Sequence, residues 1–410
     1  MGRRGIALVG VVAVAIGGCG SAGCTPQRGV GTSGNASSAE LVRPDWRPVP
    51  LPLPTGIPGR VVLRDATACA GRWFVVGAMH AADGTTRPAA WTSPDARTWT
   101  PVTVAGTSFY GNQNVLYAAG CRDGRLAAIG AKSGGAHGNP RVSTWRQVGV
   151  DRLVEVPAAF ELYGGPEAVG VSRIVGGPTG WLIVGNRTRG AATWVSRGSP
   201  RAGTSAVDAA GFDLVDGAPE LTSDERGRTM AFDAVATSRG WLVVGGMTPA
   251  GQIDSRPLVW LSADGRSWRR FAVPHLDADA MLQRVTVVDG VPVVIGLRSD
   301  GFGAWYDDGR GWVAAGRFGS VGGAGAPSVR GVAVAAGRLV VAVSTGTTYE
   351  LWSSTDRGRS WRRFAEPVSG VLAGGDSGIG VTAAGDGVLV SMDDGRGAGL
   401  WWTRTSTLDR

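Results

Sequence analysis

Short apolar runs of four to six residues punctuate the chain, each opening on a glycine. GRWFVVG begins at Gly71, GRLAAIG at Gly124, GWLIVG at Gly180 and GWLVVGG at Gly240. GVPVVIG follows at Gly290, GRLVVAV at Gly337 and GVLVSM at Gly387, so successive openings lie 53, 56, 60, 50, 47 and 50 residues apart. The runs are β-branched, too short for helices and bounded by Gly and Asp, which predicts a buried strand in each. Another apolar stretch precedes each glycine, as DAVATS does before Gly240 and GVAVAA before Gly337. A third follows, carrying Trp91, Trp145, Trp194, Trp260, Trp305, Trp352 or Trp401.

The 16 tryptophans test whether the repeat is real. Seven form the column just named, and Trp73, Trp181 and Trp241 fall directly after an opening glycine or one residue past that. Trp99, Trp268, Trp312 and Trp361 end a recurring phrase, and Trp46 ends a fragment of it; only Trp402 is left over. Three strands plus one after the phrase make four per unit. Units of about 50 residues in seven copies predict an all-β, seven-bladed β-propeller of four-stranded blades. A parallel β-helix uses shorter repeats and has no place for a large aromatic in every hairpin.

The phrase reads STDRGRSWRRF from Ser354 and SADGRSWRRF from Ser262. It matches the pattern S-x-D-x-G-x-S/T-W, with the second copy one residue shorter, and so the chain resembles the Asp-box (BNR-repeat) β-propellers. That group includes sialidases, some glucanases, sortilin-like receptors and a photosystem assembly factor. The resemblance implies a structural motif in the hairpin between strands three and four: Ser and Asp bond to turn amides, Gly takes the positive φ, and Trp packs between sheets. Ser262, Asp264 and Trp268 fit, as do Ser354, Asp356, Gly358 and Trp361. Ser93, Asp95 and Trp99 fit with Ala96 or Arg97 where glycine is expected. Tyr306 replaces the Ser ahead of Asp308, Gly309 and Trp312, and units two and three lack the box.

The ends of the chain complement each other. The last unit has only three strands, around GVTAAG, GVLVSM and GLWWT, whereas DWRPVP, Asp45 to Pro50, has the signature of a fourth strand with no preceding three. Joining them, with Trp46 near Trp401, would close the ring and hide its strand edges. Further upstream, MGRR and the apolar run Gly5 to Gly18 form a signal peptide, too short for a membrane span. IGGC, Ile16 to Cys19, resembles a bacterial lipobox with Gly17 where Ala or Ser is commoner; SAGC at Cys24 is a second candidate. The expected organisation is a lipoprotein signal peptide over 1–18, a small, polar tether over 19–44 and the propeller over 45–410. Lipidation of Cys19 would hold the protein on the outer face of the bacterial cell membrane.

Charge and chemistry change this picture little. A formal net charge of +8 invites a polyanion, but the basic residues are scattered arginines, with Lys132 the one lysine, and no basic run is interleaved with aromatics. Nucleic acid is therefore not an expected partner. Cys69 and Cys121 occupy nearly the same place in neighbouring units, which in an exported protein favours a disulfide over two buried thiols. His80, His137 and His275 have no metal-ligand spacing, so neither a metal nor a cofactor is expected. DDGRG at Asp307 and at Asp393 reads as hairpin tips rather than calcium loops.

Two functions compete. One is a monomeric, non-catalytic binding or scaffold protein for a protein or glycan on the propeller face. Its contacts would come from insertions such as SGGAHGNPR in unit two and the long stretch after Trp194. The alternative is a sialidase-like or other propeller glycoside hydrolase. No RIP-like arginine motif precedes the first unit, and Tyr349 and Glu350, adjacent on a strand, would face opposite ways. A glucanase-like site needs two facing carboxylates, for which Asp233 and Asp289 are unranked candidates.

Overall fold

The structure is a computed structural model that describes residues 41–134, 140–198, 211–275 and 277–409. Cys19, Cys24 and the apolar segment before them lie outside the described residues. Each glycine-opened run is a strand paired antiparallel with the stretch before it. In unit four, Gly227–Thr237, Gly240–Pro249, Arg256–Ser262 and Arg269–Ala272 lie side by side in chain order. The second strand is covered on both faces by neighbouring sheets, so Leu242, Val243 and Val244 are all buried. That explains why these runs are continuously apolar instead of alternating.

The glycine that closes several runs has its own cause. The first strand bulges beside it, and a Cβ on Gly77 would stand 1.8 Å from the Val62 carbonyl oxygen, one on Gly245 1.9 Å from that of Met230. Only glycine allows that approach.

Among the described residues, hydrogen bonding divides the strands into six sheets: five of four strands and one of eight. The eight-stranded sheet unites units one and two, because their fourth strands, Thr100–Ala105 and Arg152–Val156, pair in parallel. The first strands are Arg60–Cys69, Val115–Arg122, Ala168–Gly177, Gly227–Thr237, Ala280–Val288, Ser328–Ala335 and Gly378–Ala384. Each touches the next in that order, and the last touches the first, so they close a ring. The hairpins joining strands one to two and three to four emerge at one end of the sheets. Those joining two to three emerge at the other, together with the connections between units.

The N-terminal strand Arg47–Val49 supplies the fourth strand of the final sheet. It pairs antiparallel with Ala398–Arg404, setting Arg47 opposite Trp402, Pro48 opposite Trp401 and Val49 opposite Leu400. Ordered pairing also reaches into the segment expected as tether. Val42 is buried and bridges Phe364 in parallel, its carbonyl accepting the Ala365 amide at 2.7 Å. The apolar side chain and an available backbone edge hold the chain there three residues ahead of Asp45.

In five units the tryptophan column staples the sheet to the segment that enters it. The indole N–H groups of Trp91, Trp194, Trp260 and Trp305 donate to the carbonyls of Pro52, Leu162, Glu220 and Pro274 at 2.7–2.8 Å. Trp145 donates to the Asn114 amide oxygen at 3.3 Å. A buried indole thus satisfies its one polar atom on a connection that has no sheet to pair with.

Candidate functional site

The Asp boxes build the turns between strands three and four. Ser93, Ser262 and Ser354 donate their hydroxyls to Asp95, Asp264 and Asp356 at 3.1, 2.9 and 2.8 Å. Each carboxylate then accepts two amides of its own turn: Arg97 and Thr98 on Asp95, Arg266 and Ser267 on Asp264, Arg359 and Ser360 on Asp356. The Ser267 amide, with those of Arg266 and the Ser262 hydroxyl behind it, holds the Asp264 carboxyl down to about 2. Asp95 lies below the ordinary carboxylate range through the Thr98 and Arg97 amides. Gly265 and Gly358 take the left-handed turn at φ +73° and +85°. In unit one Ala96 does so at +60°, which answers the missing glycine. Asp308 accepts the amides of Arg310 and Gly311, and the hydroxyl of Tyr306, in the serine's place, accepts from Arg359 at 2.8 Å.

Each box tryptophan packs on the preceding unit. Trp268 joins Leu182, Val184 and Val195; Trp361 stacks on Phe318 at 4.1 Å; Trp312 lies against the core of unit four. Trp99 packs with Leu389, Leu400 and Trp402, which gives the unassigned Trp402 its place between the last and first sheets. Trp46 follows the same rule: it faces Phe364 at 6.3 Å and donates to the Ala365 carbonyl at 2.9 Å. The DDGRG stretches are hairpin tips, with Asp394 accepting the amides of Arg396 and Gly397.

The chemistry gathers instead at the centre of the ring. Six first strands carry a bulge at the same height, and the residue after it is Asp65, Ala118, Arg173, Asp233, Arg284 or Gly331. A bulge frees a ladder amide and re-aims the next side chain. Both consequences are used. Asp65 accepts the freed Ala119 amide of unit two at 2.8 Å, and Asp233 that of Val285 in unit five at 3.2 Å. Because unit two contributes only the methyl of Ala118, Arg173 reaches across it to Asp65 at 2.9 Å, with Asp233 on its other side at 3.7 Å. One guanidinium therefore stands between two carboxylates.

Burial pushes the Asp233 carboxyl up, against the pull of Arg173 and Arg284. Burial, together with the positive charges of Arg173 and Arg330, presses Arg284 down to about 10, where it is still charged at neutral pH. Beyond this cluster, Arg60 and Arg64 close on the fully buried Asp393 at 3.0 and 2.9 Å. Tyr117 spends its hydroxyl on the Val171 carbonyl. Among the described residues no three His, Cys, Asp or Glu side chains gather as metal ligands would.

The other expected residues fall elsewhere. Cys69 and Cys121 form a disulfide with Cα atoms 5.4 Å apart, joining units one and two beside their shared core. Asp289 sits in a hairpin turn with φ +50°, outside the central cluster, so it does not face Asp233. Tyr349 bonds Ser377, whereas Glu350 accepts Trp352 and pairs with Arg363. The insertion of unit two falls between strands two and three, with residues 135–139 outside the described residues; that of unit three, Ser199 to Thr229, includes the fourth strand Phe212–Val215, with residues 199–210 outside them. Of the central charges only Asp233 is among the residues singled out in the sequence; Asp65, Arg173 and Arg284 are not. Their signal was a charged residue six or seven positions before the opening glycine, at Asp65, Arg173, Asp233 and Arg284.

No family model and no curated protein matches the sequence. Among solved structures, the β-propeller domain of the Trilobed protease from Pyrococcus furiosus superposes with a TM-score of 0.50 at 9% identity, over 84% of this chain and 93% of that one. A Mycobacterium tuberculosis puromycin-hydrolyzing peptidase gives 0.50 at 11% identity, over 90% of this chain and 56% of that one. These likenesses show the fold, a β-propeller. The Pyrococcus domain is described as having an open velcro topology, whereas here Arg47–Val49 is hydrogen-bonded into the last sheet. Trypanosoma rangeli sialidase, at TM-score 0.40 and 12% identity over 90% of this chain and 59% of that one, is too distant to carry an inference. The chain spans 66% of the length of a further neighbour, the Hadza microbial sialidase Hz136, with 85% of this chain covered at 11% identity and a TM-score of 0.43.

Proposed function

We propose that this protein is an exported, lipid-anchored, seven-bladed β-propeller of the Asp-box type that binds a protein or glycan and catalyses no reaction on it. The reading of seven blades is supported by the seven first strands that touch in turn around the ring; the parallel pairing of units one and two joins only their outer edges. The anchor would be a diacylglycerol on Cys19, with the propeller working as a monomer outside the membrane.

The observation that carries the non-catalytic reading is Arg173 between Asp65 and Asp233. A glycosidase needs an acid and a base or nucleophile with a sugar between them. Here the gap holds a guanidinium and each carboxylate also accepts a backbone amide, so the pair is spent on joining blades. The hydrolase alternative would use Asp233 as its acid, since burial raises it. Purified mature protein, incubated with a panel of 4-methylumbelliferyl glycosides that includes the N-acetylneuraminide, decides between them. Release no faster than from an Asp65→Asn/Asp233→Asn variant is the expected result; release abolished in that variant would establish a hydrolase.

A further inference from the structure

The box of unit five is altered, and a cavity opens beneath its turn. In units four and six the box serine also accepts a glycine amide, Gly265 on Ser262 and Gly358 on Ser354, both at 2.8 Å. That bond draws the glycine onto the preceding unit: a Cβ on Gly265 would meet Val195 at 3.0 Å, and one on Gly358 would meet Ala304 at 2.5 Å. In unit five Tyr306 replaces the serine, and its hydroxyl is engaged by Arg359 of unit six. The Gly309 amide goes instead to the Asp307 side chain at 2.9 Å, and a Cβ on Gly309 would meet nothing within 4 Å. The turn therefore stands off unit four. Between it and the last two strands of unit four lies a cavity of about 610 Å³, lined by Leu261, Trp268, Phe271 and Trp312 together with Arg269 and Arg310. Small-ligand sites span about 300–1,000 Å³.

The side-chain polar groups left free on this lining are donors. Trp99 and Trp361 donate their indole N–H groups to the Ala96 and Gly358 carbonyls at 3.0 and 2.9 Å. Trp268 and Trp312 lack that bond; the Trp268 N–H is sealed in the core, whereas Trp312 is only half-buried. Arg269 and Arg310 are exposed and form no ion pair among the described residues, and Arg269 lies over the Phe271 ring at 5.2 Å. The acceptors are committed. Asp264 holds its turn amides and the Ser262 and Ser267 hydroxyls, while Asp307 holds the Gly309 amide and pairs with Arg239 at 2.6 Å.

We propose that this cavity binds a uronic-acid unit of an acidic glycan, with the sugar ring against Trp312 and its carboxylate on Arg269 and Arg310. A pyranose presents an apolar C–H face that an indole covers, and planar guanidiniums grip a carboxylate by paired N–H bonds. The lining selects an acceptor-rich ligand. A peptide does not suit it, because backbone amides need acceptors that the committed side chains do not offer. The assignment rests on the binding reading proposed above and narrows its ligand to a sugar held at one seam.

The test is calorimetric titration of the mature protein at low salt with the trisaccharides of galacturonate and of mannuronate, and with maltotriose as the uncharged counterpart. At least one uronate trisaccharide is expected to bind at least about tenfold more tightly than maltotriose. Arg269→Gln/Arg310→Gln, which changes two exposed side chains and should keep the wild-type melting temperature, should weaken that binding by about tenfold or more. Trp312→Phe should weaken it several-fold; should that variant not fold, the arginine pair alone decides. Arg266→Gln, the equivalent position of unit four, where the side chain is held by Asp213, should leave it unchanged. Uronate affinity untouched by the arginine changes would overturn this site while leaving a glycan-binding protein. Binding of neither uronate, or equal affinity for maltotriose, would overturn the proposal as well.

Discussion

Arg173 is the residue on which the centre of the ring depends. Removing a partner from a buried ion pair costs about 3–5 kcal/mol, because the charge left behind is uncompensated. Arg173→Met should therefore destabilise the protein by about 3 kcal/mol, and adding Asp65→Asn and Asp233→Asn should recover much of that loss. Denaturant midpoints of the single and triple variants measure it; equal midpoints for the two would show that the carboxylates do not need the arginine. The box aspartates make a different prediction. Asp264 titrates at about 2 in the folded protein and near 3.9 unfolded, so its stabilisation is complete above pH 5 and is lost as pH falls towards 2. Asp264→Asn should be less stable than the wild type at pH 7, and the gap should close between pH 5 and pH 2. A gap that stays constant with pH would mean the carboxylate's charge is not what the turn amides hold.

At the scale of the element, what was legible in the chain were the features that every unit repeats. The glycine-opened runs, the tryptophan columns and the Ser–Asp pair recur because each is needed wherever a four-stranded sheet stacks on the next. What was not legible depends on differences between units. Ala118 matters because it is small enough to let Arg173 pass to Asp65, and no property of Ala118 alone announces that. The parallel seam between Thr103 and Arg152 likewise arises where unit two lacks a box, and alternation of apolar residues does not encode which edges meet. The cysteines were readable because equivalent positions in adjacent sheets are close. Non-reducing peptide mapping should recover the Cys69–Cys121 crosslink. Cys69→Ser/Cys121→Ser should lose about 4 kcal/mol by the loop-entropy model, read from denaturant unfolding. Free thiols at both positions in oxidised protein would contradict the pairing.

At the scale of the whole molecule, the described strands form a ring, and its closing sheet is held by the short strand Arg47–Val49. The proposed anchor would lie ahead of that strand: Cys19→Ser should then release the protein from membranes or leave it unprocessed, and an N-terminus without acyl mass would refute the anchor. Closure rests on Arg47–Val49 in the last sheet, Trp46 against Phe364, Val42 beside it and Pro52 accepting the Trp91 indole. Thermal melts of two truncations test it most directly. A mature chain beginning after Pro54 loses all of these and should melt roughly 5–10 °C lower, in line with about 3 kcal/mol from buried aromatic and apolar contacts. Deleting residues 20–40 should leave the melting temperature unchanged. Equal melting temperatures for the two truncations would mean that the N-terminal strand does not hold the ring shut.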